Sequence, residues 1–189
     1  GRLKALEPSR EVVMTTNAML LQRHAVELRE VGLDRLNISL DTLRPELFEK
    51  MSRRNGLRDA LAGIEAAQAA GFERTKVNTV VMGGINDAEI PALLHWAHGL
   101  GVELRLIEFM PMQSNSYGAQ ATRVPVAEIR QRIEAEGKLI PREGRSSVQG
   151  PAENFVLEST GQRVGIIAAI SMPFCSTCNR IRLTAEGEV

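Results

Sequence analysis

Residues 57–82 read LRDALAGIEAAQAAGFERTKVNTVVM, an alanine-rich stretch that passes through Gly71 into a short β-branched segment. Apolar residues recur at helical spacing up to residue 70, and the glycine that follows stands where helices commonly end. Residues 75–82 favour a buried strand, because β-branched side chains suit a pleated surface covered on both sides. This stretch therefore predicts a helix followed directly by a strand.

The same alternation extends along the first 110 residues. The pattern predicts strands at 12–16, 35–40, 75–82 and 103–110 and helices at 19–31, 57–70 and 87–100. Gly32 would end the first helix, while Asp87 would cap the third, with Pro91 near its start. Strands separated by helices predict a parallel sheet with crossover connections.

A barrel or part-barrel is favoured over a dinucleotide-binding sheet. The sequence GGIND at 83–87 follows a strand but lacks the G-x-G-x-x-G spacing of a dinucleotide fingerprint. In barrels of this kind, functional side chains lie at the carboxyl ends of the strands. Beyond residue 110 the pattern predicts loops at 112–123 and 141–151, a helix at 126–136 and strands at 155–157 and 164–170.

The overall composition excludes several classes of function. The 189 residues are 43% apolar and 24% charged, which suits one sizeable soluble domain. Lys plus Arg equals Asp plus Glu at 23 each, so no net charge favours nucleic acid or a membrane surface. No apolar run approaches the ~18 residues of a membrane span, and GRLKALEPSR has no signal core. We expect a cytoplasmic protein whose N-terminus lies upstream of Gly1. The composition leaves open whether the protein forms a homodimer.

Polar residues interrupt every predicted strand of the first 110 residues. They are Thr15, Thr16 and Asn17, then Asn37, Ser39 and Asp41, then Lys76 and Asn78, and finally Arg105 and Glu108. Each one alone could be a helix cap or a solvated strand end. Four successive strands with the same feature favour a polar pocket. Lys76 and Arg105 lie in apolar strands, where an unpaired charge is costly, so an anionic ligand is expected.

The only two cysteines, Cys175 and Cys178, form one C-x-x-C within PFCSTCNRIRLT. Two thiolates at this spacing can bind a metal ion or cluster, although a closed site needs further ligands. A redox pair is an alternative, but the segment that follows resembles a strand rather than a helix. Arg180 and Arg182 would share one side of that strand and form a fork for phosphate, unless that side is simply solvated.

Five segments together resemble the GTP 3′,8-cyclase family of molybdenum cofactor biosynthesis. In family order they are TTNAMLL (15–21), LNISLDTL (36–43), KVNTVVMGGIND (76–87), RLIEFMPM (105–112) and FCSTCNRIRLTAEGEV (174–189). The resemblance implies an α/β fold: a partial (β/α) TIM-type barrel of the radical S-adenosylmethionine kind in residues 1–110. Residues 111–189 would form a C-terminal extension with an iron–sulfur site.

The resemblance also implies a reaction and its cofactors. In the family, an N-terminal [4Fe–4S] cluster reduces S-adenosylmethionine to a 5′-deoxyadenosyl radical, which abstracts the ribose 3′-hydrogen of GTP. Carbon C3′ then joins C8 of the guanine, giving (8S)-3′,8-cyclo-7,8-dihydroguanosine 5′-triphosphate. A second [4Fe–4S] cluster, with three cysteine ligands, binds the purine.

Residue roles carry over only where this sequence matches the family. GTP contacts would be Thr15, Lys76, Arg105, Arg180, Ile181 and Arg182; S-adenosylmethionine contacts would be Ser39, Met110 and Asn17; cluster ligands would be Cys175 and Cys178. No catalytic residue is expected within this chain.

The sequence departs from the family pattern at three points. The C-x-x-x-C-x-x-C motif is expected before Gly1 and the third cysteine beyond Val189, so this stretch alone should be inactive. Ala18 stands where the family usually has glycine. A non-catalytic nucleotide-binding module, or another radical enzyme with an auxiliary cluster, remain the alternatives.

Overall fold

The fold is described from a computed structural model of the chain. It covers residues 2–6, 8, 10–111, 121–142, 151–173, 184 and 186–188. Within these ranges the protein is a mixed α/β structure built around one large, mostly parallel sheet. Among the described residues, no helix combines the length and apolar character needed to cross a bilayer.

The strands alternate with helices in the first part of the chain and follow one another closely in the last part. The strands of the described ranges are β1 Val13–Thr16, β2 Arg35–Ser39, β3 Lys76–Gly83, β4 Glu103–Glu108, β5 Thr122–Arg123, β6 Leu139–Pro141, β7 Glu153–Leu157 and β8 Gln162–Ile167. The helices are α1 Arg2–Leu6, α2 Leu21–Glu30, α3 Pro45–Ser52, α4 Leu57–Ala69, α5 Ile90–Gly99 and α6 Val126–Glu134.

The sheet has the strand order β1-β2-β3-β4-β8-β7-β6, and β5 pairs with β3 outside this path. Strands β1 to β4 and β8 are parallel, whereas β7 runs antiparallel to both β8 and β6. The predicted parallel arrangement of the first four strands is therefore confirmed. The antiparallel end was not predicted, because β7 and β8 were expected only as two successive strands.

One face of the sheet packs against the helices and forms the core. Leu36, Ile38, Val77, Leu104 and Leu106 lie on this face and are fully buried. They share one apolar cluster with residues of α2, α4 and α5. Successive strand residues point to opposite faces, so the residues between them lie on the other side of the sheet. We call that other side the polar face; it carries Thr15, Arg35, Asn37, Ser39, Lys76, Asn78, Glu103 and Arg105.

Two predicted helix ends are confirmed, and one predicted helix start is wrong. Gly32 and Gly71 take positive φ angles of 92° and 83° directly after α2 and α4. Asp87 does not cap the following helix, because it begins a short 3₁₀ turn at Asp87–Glu89. Its carboxylate instead accepts the backbone N–H of Gly84 at 2.8 Å, which holds the turn after β3.

The turn after β1 explains what position 18 requires of its residue. Ala18 adopts a φ of +64°, a left-handed conformation that glycine takes without strain. The Thr16 hydroxyl accepts the N–H of Ala18 at 3.1 Å, and Asn17 Oδ1 accepts that of Met19 at 3.2 Å. These side chains therefore fix a tight turn from β1 into α2.

Candidate functional site

Strand register aligns the polar face into two rows. The first row runs through Thr15, Asn37, Lys76 and Glu103, which are successive register partners from β1 to β4. The second row runs through Ser39, Asn78, Arg105 and Gly165, from β2 to β8. The sequence thus places Thr15, Ser39, Lys76 and Arg105 on one continuous surface.

On β3 and β4 the two rows lie lower on the sheet than the carboxyl-end rule predicts. Lys76 is the first residue of β3, and Arg105 is the third residue of β4. Ser39, Asn17 and Met110 do lie at or just beyond the carboxyl ends of β2, β1 and β4. The predicted residues therefore divide into a set at the strand ends and a set deeper on the same face.

A shared carboxylate joins the two predicted cations. Glu103 Oε1 accepts a hydrogen bond from Arg105 Nε at 2.7 Å and lies 3.9 Å from Lys76 Nζ. Glu103 and Arg105 are both buried, and Lys76 is largely covered. The premise that Lys76 and Arg105 lack a partner within the protein is therefore wrong, because Glu103 serves both.

The environment of Lys76 weakens its hold on a proton. Burial is the largest effect, and it lowers the pKa of Lys76 from 10.5 to about 8, with Arg105, Arg35 and Arg74 also lowering it. The Glu103 carboxylate acts in the opposite direction and raises the pKa. Lys76 is thus mainly protonated at neutral pH and loses its proton near a pKa of about 8.

A second ion cluster lies at the lower end of the polar face, and the sequence analysis missed it. Arg35 Nη2 contacts Glu11 Oε2 at 2.6 Å, and Arg74 Nη1 lies 3.4 Å from Glu11 Oε1. Arg35 is two residues before Asn37 and four before Ser39, so strand periodicity alone places its side chain on this face. The spacing of Arg35 from Asn37 and Ser39 was therefore a signal in the sequence that could have placed it on this face.

Two buried polar atoms on the polar face have no partner within the described structure. They are the Nε donor of Arg35 and the Oδ1 acceptor of Asn78. Buried polar groups in proteins are nearly always hydrogen-bonded, so orphaned atoms in a polar pocket suit a ligand. Asn78 stands between Ser39 and Arg105 in the second row, which brings its acceptor to the middle of the predicted site.

Glu108 serves a different purpose from the pocket role predicted for it. Its side chain is fully buried and accepts the backbone N–H groups of Ile170 and Ser171 at 2.9 and 2.7 Å. The Ser171 hydroxyl donates to its other oxygen at 2.7 Å, and Arg123 Nε lies 3.5 Å away. Glu108 therefore ties the turn after β8 to the end of β4.

The remaining predicted residues lie outside the described ranges. These are Cys175, Cys178, Arg180, Ile181 and Arg182. Within the described ranges, no three His, Cys, Asp or Glu side chains come together in a way that could hold a metal ion. The described residues therefore form a cation-rich polar face rather than a metal centre.

Two family models divide the sequence between them. The Radical SAM superfamily matches residues 2–97, and Molybdenum Cofactor Synthesis C matches residues 102–189. The first match covers half of the chain, including β1, β2, β3 and the helices between them. The chain belongs to the radical S-adenosylmethionine superfamily.

The most informative relatives are bacterial proteins named GTP 3′,8-cyclase. That of Streptomyces coelicolor is 42% identical over the whole chain, and that of Hydrogenovibrio crunogenus is 41% identical over 98% of it. That of Rhodopseudomonas palustris is 44% identical over 95% of the chain. The chain spans about half the length of these relatives, at 55%, 56% and 51%.

A solved structure supports the fold alone. A radical SAM methyltransferase from Sphaerobacter thermophilus aligns with a TM-score of 0.52 at 21% identity. The alignment covers 65% of this chain and 36% of that structure. About two thirds of the chain thus has a counterpart of similar fold in a solved radical SAM protein.

Proposed function

We propose that this chain forms part of a GTP 3′,8-cyclase, in which the polar face binds GTP and S-adenosylmethionine. The single observation that carries the proposal is the alignment of Thr15, Lys76 and Arg105 with Ser39 on one face of the sheet. Relatives of that name match along the whole chain, which supports the same conclusion.

The triphosphate of GTP is the ligand that best suits the deeper part of this face. Arg35, Arg74, Lys76 and Arg105 bring four cations, against the two carboxylates of Glu11 and Glu103. The face keeps a positive excess that a polyanion would offset, and guanidinium groups bind phosphate oxygens strongly. Thr15 adds an exposed hydroxyl in the first row, which also contains Lys76. Arg180, Ile181 and Arg182 belong to the proposal through the resemblance alone.

S-adenosylmethionine suits the part of the face that extends from Asn78 in the second row toward the carboxyl ends of β1, β2 and β4. Ser39 offers an exposed hydroxyl, and the orphaned Oδ1 of Asn78 beside it can accept a hydrogen bond from an ammonium or hydroxyl group. Asn17 and Met110 lie beyond the ends of β1 and β4, and Met110 is half exposed, as an adenine contact would be. When bound to a reduced [4Fe–4S] cluster, S-adenosylmethionine supplies the radical that starts the reaction.

The proposal keeps the division of the chain predicted from the sequence. Residues 1–110 would contribute a part-barrel, and residues 111–189 an extension in which Cys175 and Cys178 ligate a second [4Fe–4S] cluster. Strand β8 pairs with β4 in the same sheet, so an extension of this kind would be continuous with the barrel wall. The described part of the chain contains no group of three His, Cys, Asp or Glu side chains that could bind either cluster.

Binding of GTP to the purified 189-residue chain tests the substrate half of the proposal. Isothermal titration calorimetry should detect binding of GTP to the chain. Lys76→Ala and Arg105→Ala should each weaken that binding at least about tenfold, because each removes one charge-assisted contact. Lys138→Ala is the matched control, because Lys138 is exposed on the loop before β6. Equal affinity in all four proteins would contradict the proposed site.

Turnover should be measured in the protein from the whole reading frame that contains these residues. After anaerobic reconstitution of iron and sulfide, with S-adenosylmethionine and a reductant, GTP should be converted to the 3′,8-cyclo product with formation of 5′-deoxyadenosine. Tight GTP binding without formation of 5′-deoxyadenosine would contradict the cyclase proposal and favour a non-catalytic nucleotide-binding module.

A further inference from the structure

Glu103 is a buried carboxylate that the proposed function does not use. Its side chain is 8% exposed and lies on the polar face between two residues assigned to the substrate. One of its oxygens, Oε1, receives the Arg105 Nε–H at 2.7 Å and faces the Lys76 ammonium at 3.9 Å. An acidic group at the centre of a phosphate site needs an explanation, since it repels the ligand.

The backbone of β8 holds Arg105 from the other side. A Cβ atom added to Gly165, the register partner of Arg105, would lie 2.9 Å from Arg105 Cγ and 3.4 Å from its Nε. The Arg105 side chain therefore crosses β8 where only glycine leaves room. Contact with Gly165 on one side and Glu103 on the other leaves the guanidinium little freedom.

We propose that Glu103 is a positioning residue for the anionic substrate. Its Oε1 atom holds the Arg105 guanidinium and the Lys76 ammonium together as one binding unit. The inference rests on the proposed function, because it assigns these two cations to the phosphates. Pre-organised cations bind with less loss of side-chain entropy, which offsets the repulsion from one carboxylate.

The charges around Lys76 give Glu103 a second effect. From β2 Lys76 faces Arg35, from the turn before β3 it faces Arg74, and from β4 it faces Arg105 and Glu103. Glu11 lies between Arg35 and Arg74 and offsets part of their charge. Glu103 is the neighbour that raises the pKa of Lys76, so its carboxylate keeps the ammonium protonated at neutral pH.

Glu103→Gln separates this role from a purely structural one. Glutamine keeps the shape and an oxygen acceptor for Arg105 Nε, but it removes the charge that stabilises protonated Lys76. We expect Lys76 to lose its proton about one pH unit lower in the variant. Glu128→Gln removes the same charge from exposed α6 and should leave Lys76 unchanged.

The ionisation of Lys76 can be followed without any ligand. The chain has four lysines, so ¹³C-labelling of their ε-carbons gives few NMR signals, and Lys76→Arg identifies the one of interest. A titration that is the same in the intact chain and in Glu103→Gln would overturn the inference. A lowered midpoint in Glu103→Gln alone would support it.

Binding measurements then connect this effect to the substrate. GTP and inorganic triphosphate should both bind less tightly above pH 8 in the intact chain, and the decline should begin about one unit lower in Glu103→Gln. The Lys76→Arg variant is the control: because arginine stays protonated over this pH range, any change in its affinity reports the titration of the ligand itself. If no variant binds GTP, the proposed function fails. If GTP binds with the same pH profile in both proteins, the role of Glu103 fails while the function stands.

Discussion

Glu108 binds Ser171 through both carboxylate oxygens: Oε2 accepts the backbone N–H at 2.7 Å, and Oε1 accepts the hydroxyl at 2.7 Å. The N–H of Ile170 adds a third bond at 2.9 Å. Residues 170 and 171 follow β8, whereas Glu108 ends β4. One buried carboxylate therefore fixes the chain at the point where it leaves the sheet for the C-x-x-C segment.

Substituting Glu108 by glutamine should destabilise the protein by about 2–4 kcal/mol. The amide can accept with one oxygen only, and its N–H₂ group would face donors, leaving at least one buried N–H unpaired. Urea unfolding followed by circular dichroism measures the change. Glu128→Gln, on the surface of α6, should alter the free energy of unfolding by less than about 0.5 kcal/mol. A loss no larger than that in Glu108→Gln would contradict the anchoring role.

The same carboxylate predicts how stability depends on acid. Burial acts to raise the pKa of Glu108, but the hydrogen bonds from Ser171 and Ile170 and the charge of Arg123 outweigh it and lower the pKa. The folded state therefore binds a proton less readily than the unfolded chain, and stability is lost as pH falls through the folded pKa. Glu108→Gln should flatten this acid limb in unfolding curves between pH 3 and pH 6. An unchanged slope would assign the acid sensitivity to other groups.

Lys76 should destabilise the folded protein at neutral pH. Because its pKa lies near 8 in the folded protein and near 10.5 in the unfolded chain, the unfolded chain binds more protons between these values. Stability of the intact protein should therefore rise as pH increases through that window. At pH 7, Lys76→Met should be more stable by about 1–2 kcal/mol, and this advantage should shrink above pH 8. Unfolding at pH 7 and pH 9.5 tests the sign, and a less stable Lys76→Met variant would contradict it.

Sequence reasoning recovered the four parallel strands because each carries its own local signal. Leu36 and Ile38 alternate with Asn37 and Ser39, Val77 lies between Lys76 and Asn78, and glycines mark the ends of two preceding helices. The sequence analysis expected the polar residues of these strands to line one pocket, and the strand register places Thr15, Ser39, Lys76 and Arg105 on one face. Side-chain periodicity is a property of neighbouring residues, so the sequence alone is enough to predict the strands and which side chains of one strand share a face.

What sequence reasoning missed depends on contacts between distant residues. The partner of Arg105 is only two residues away, yet Glu103 reads as an ordinary strand-edge charge until register places it beside Lys76. Gly165 likewise has no local signal, because its role is to leave room for a side chain from another strand. The β6–β7–β8 end was also hidden, since an antiparallel hairpin and a parallel crossover begin with similar short strands.

Gly165→Ala should displace Arg105 and thereby weaken phosphate binding. The added methyl group would meet Arg105 Cγ at 2.9 Å, closer than such contacts allow, so the flexible side chain must move. We expect GTP affinity to fall at least about fivefold, while stability falls by about 1–2 kcal/mol. Isothermal titration and thermal unfolding give the two values. Unchanged GTP affinity would mean that the position of Arg105 over β8 does not matter for binding.

Gly63→Ala should be the more damaging of two alanine substitutions in helices. A Cβ at Gly63 in α4 would overlap the carbonyl oxygen of Ala18, the strained residue of the turn after β1. The carbonyl oxygen is a backbone atom and the added Cβ is fixed rigidly to the helix backbone, so the helix or the turn must shift, and we expect a loss of about 3 kcal/mol or more. Gly99→Ala in α5 meets nothing within 4 Å and should be neutral or stabilising, because alanine favours helix. Thermal unfolding of both variants makes the comparison. Equal melting temperatures would show that α4 does not press against the turn that carries Asn17, and the close approach of helix to strand end would lose its support.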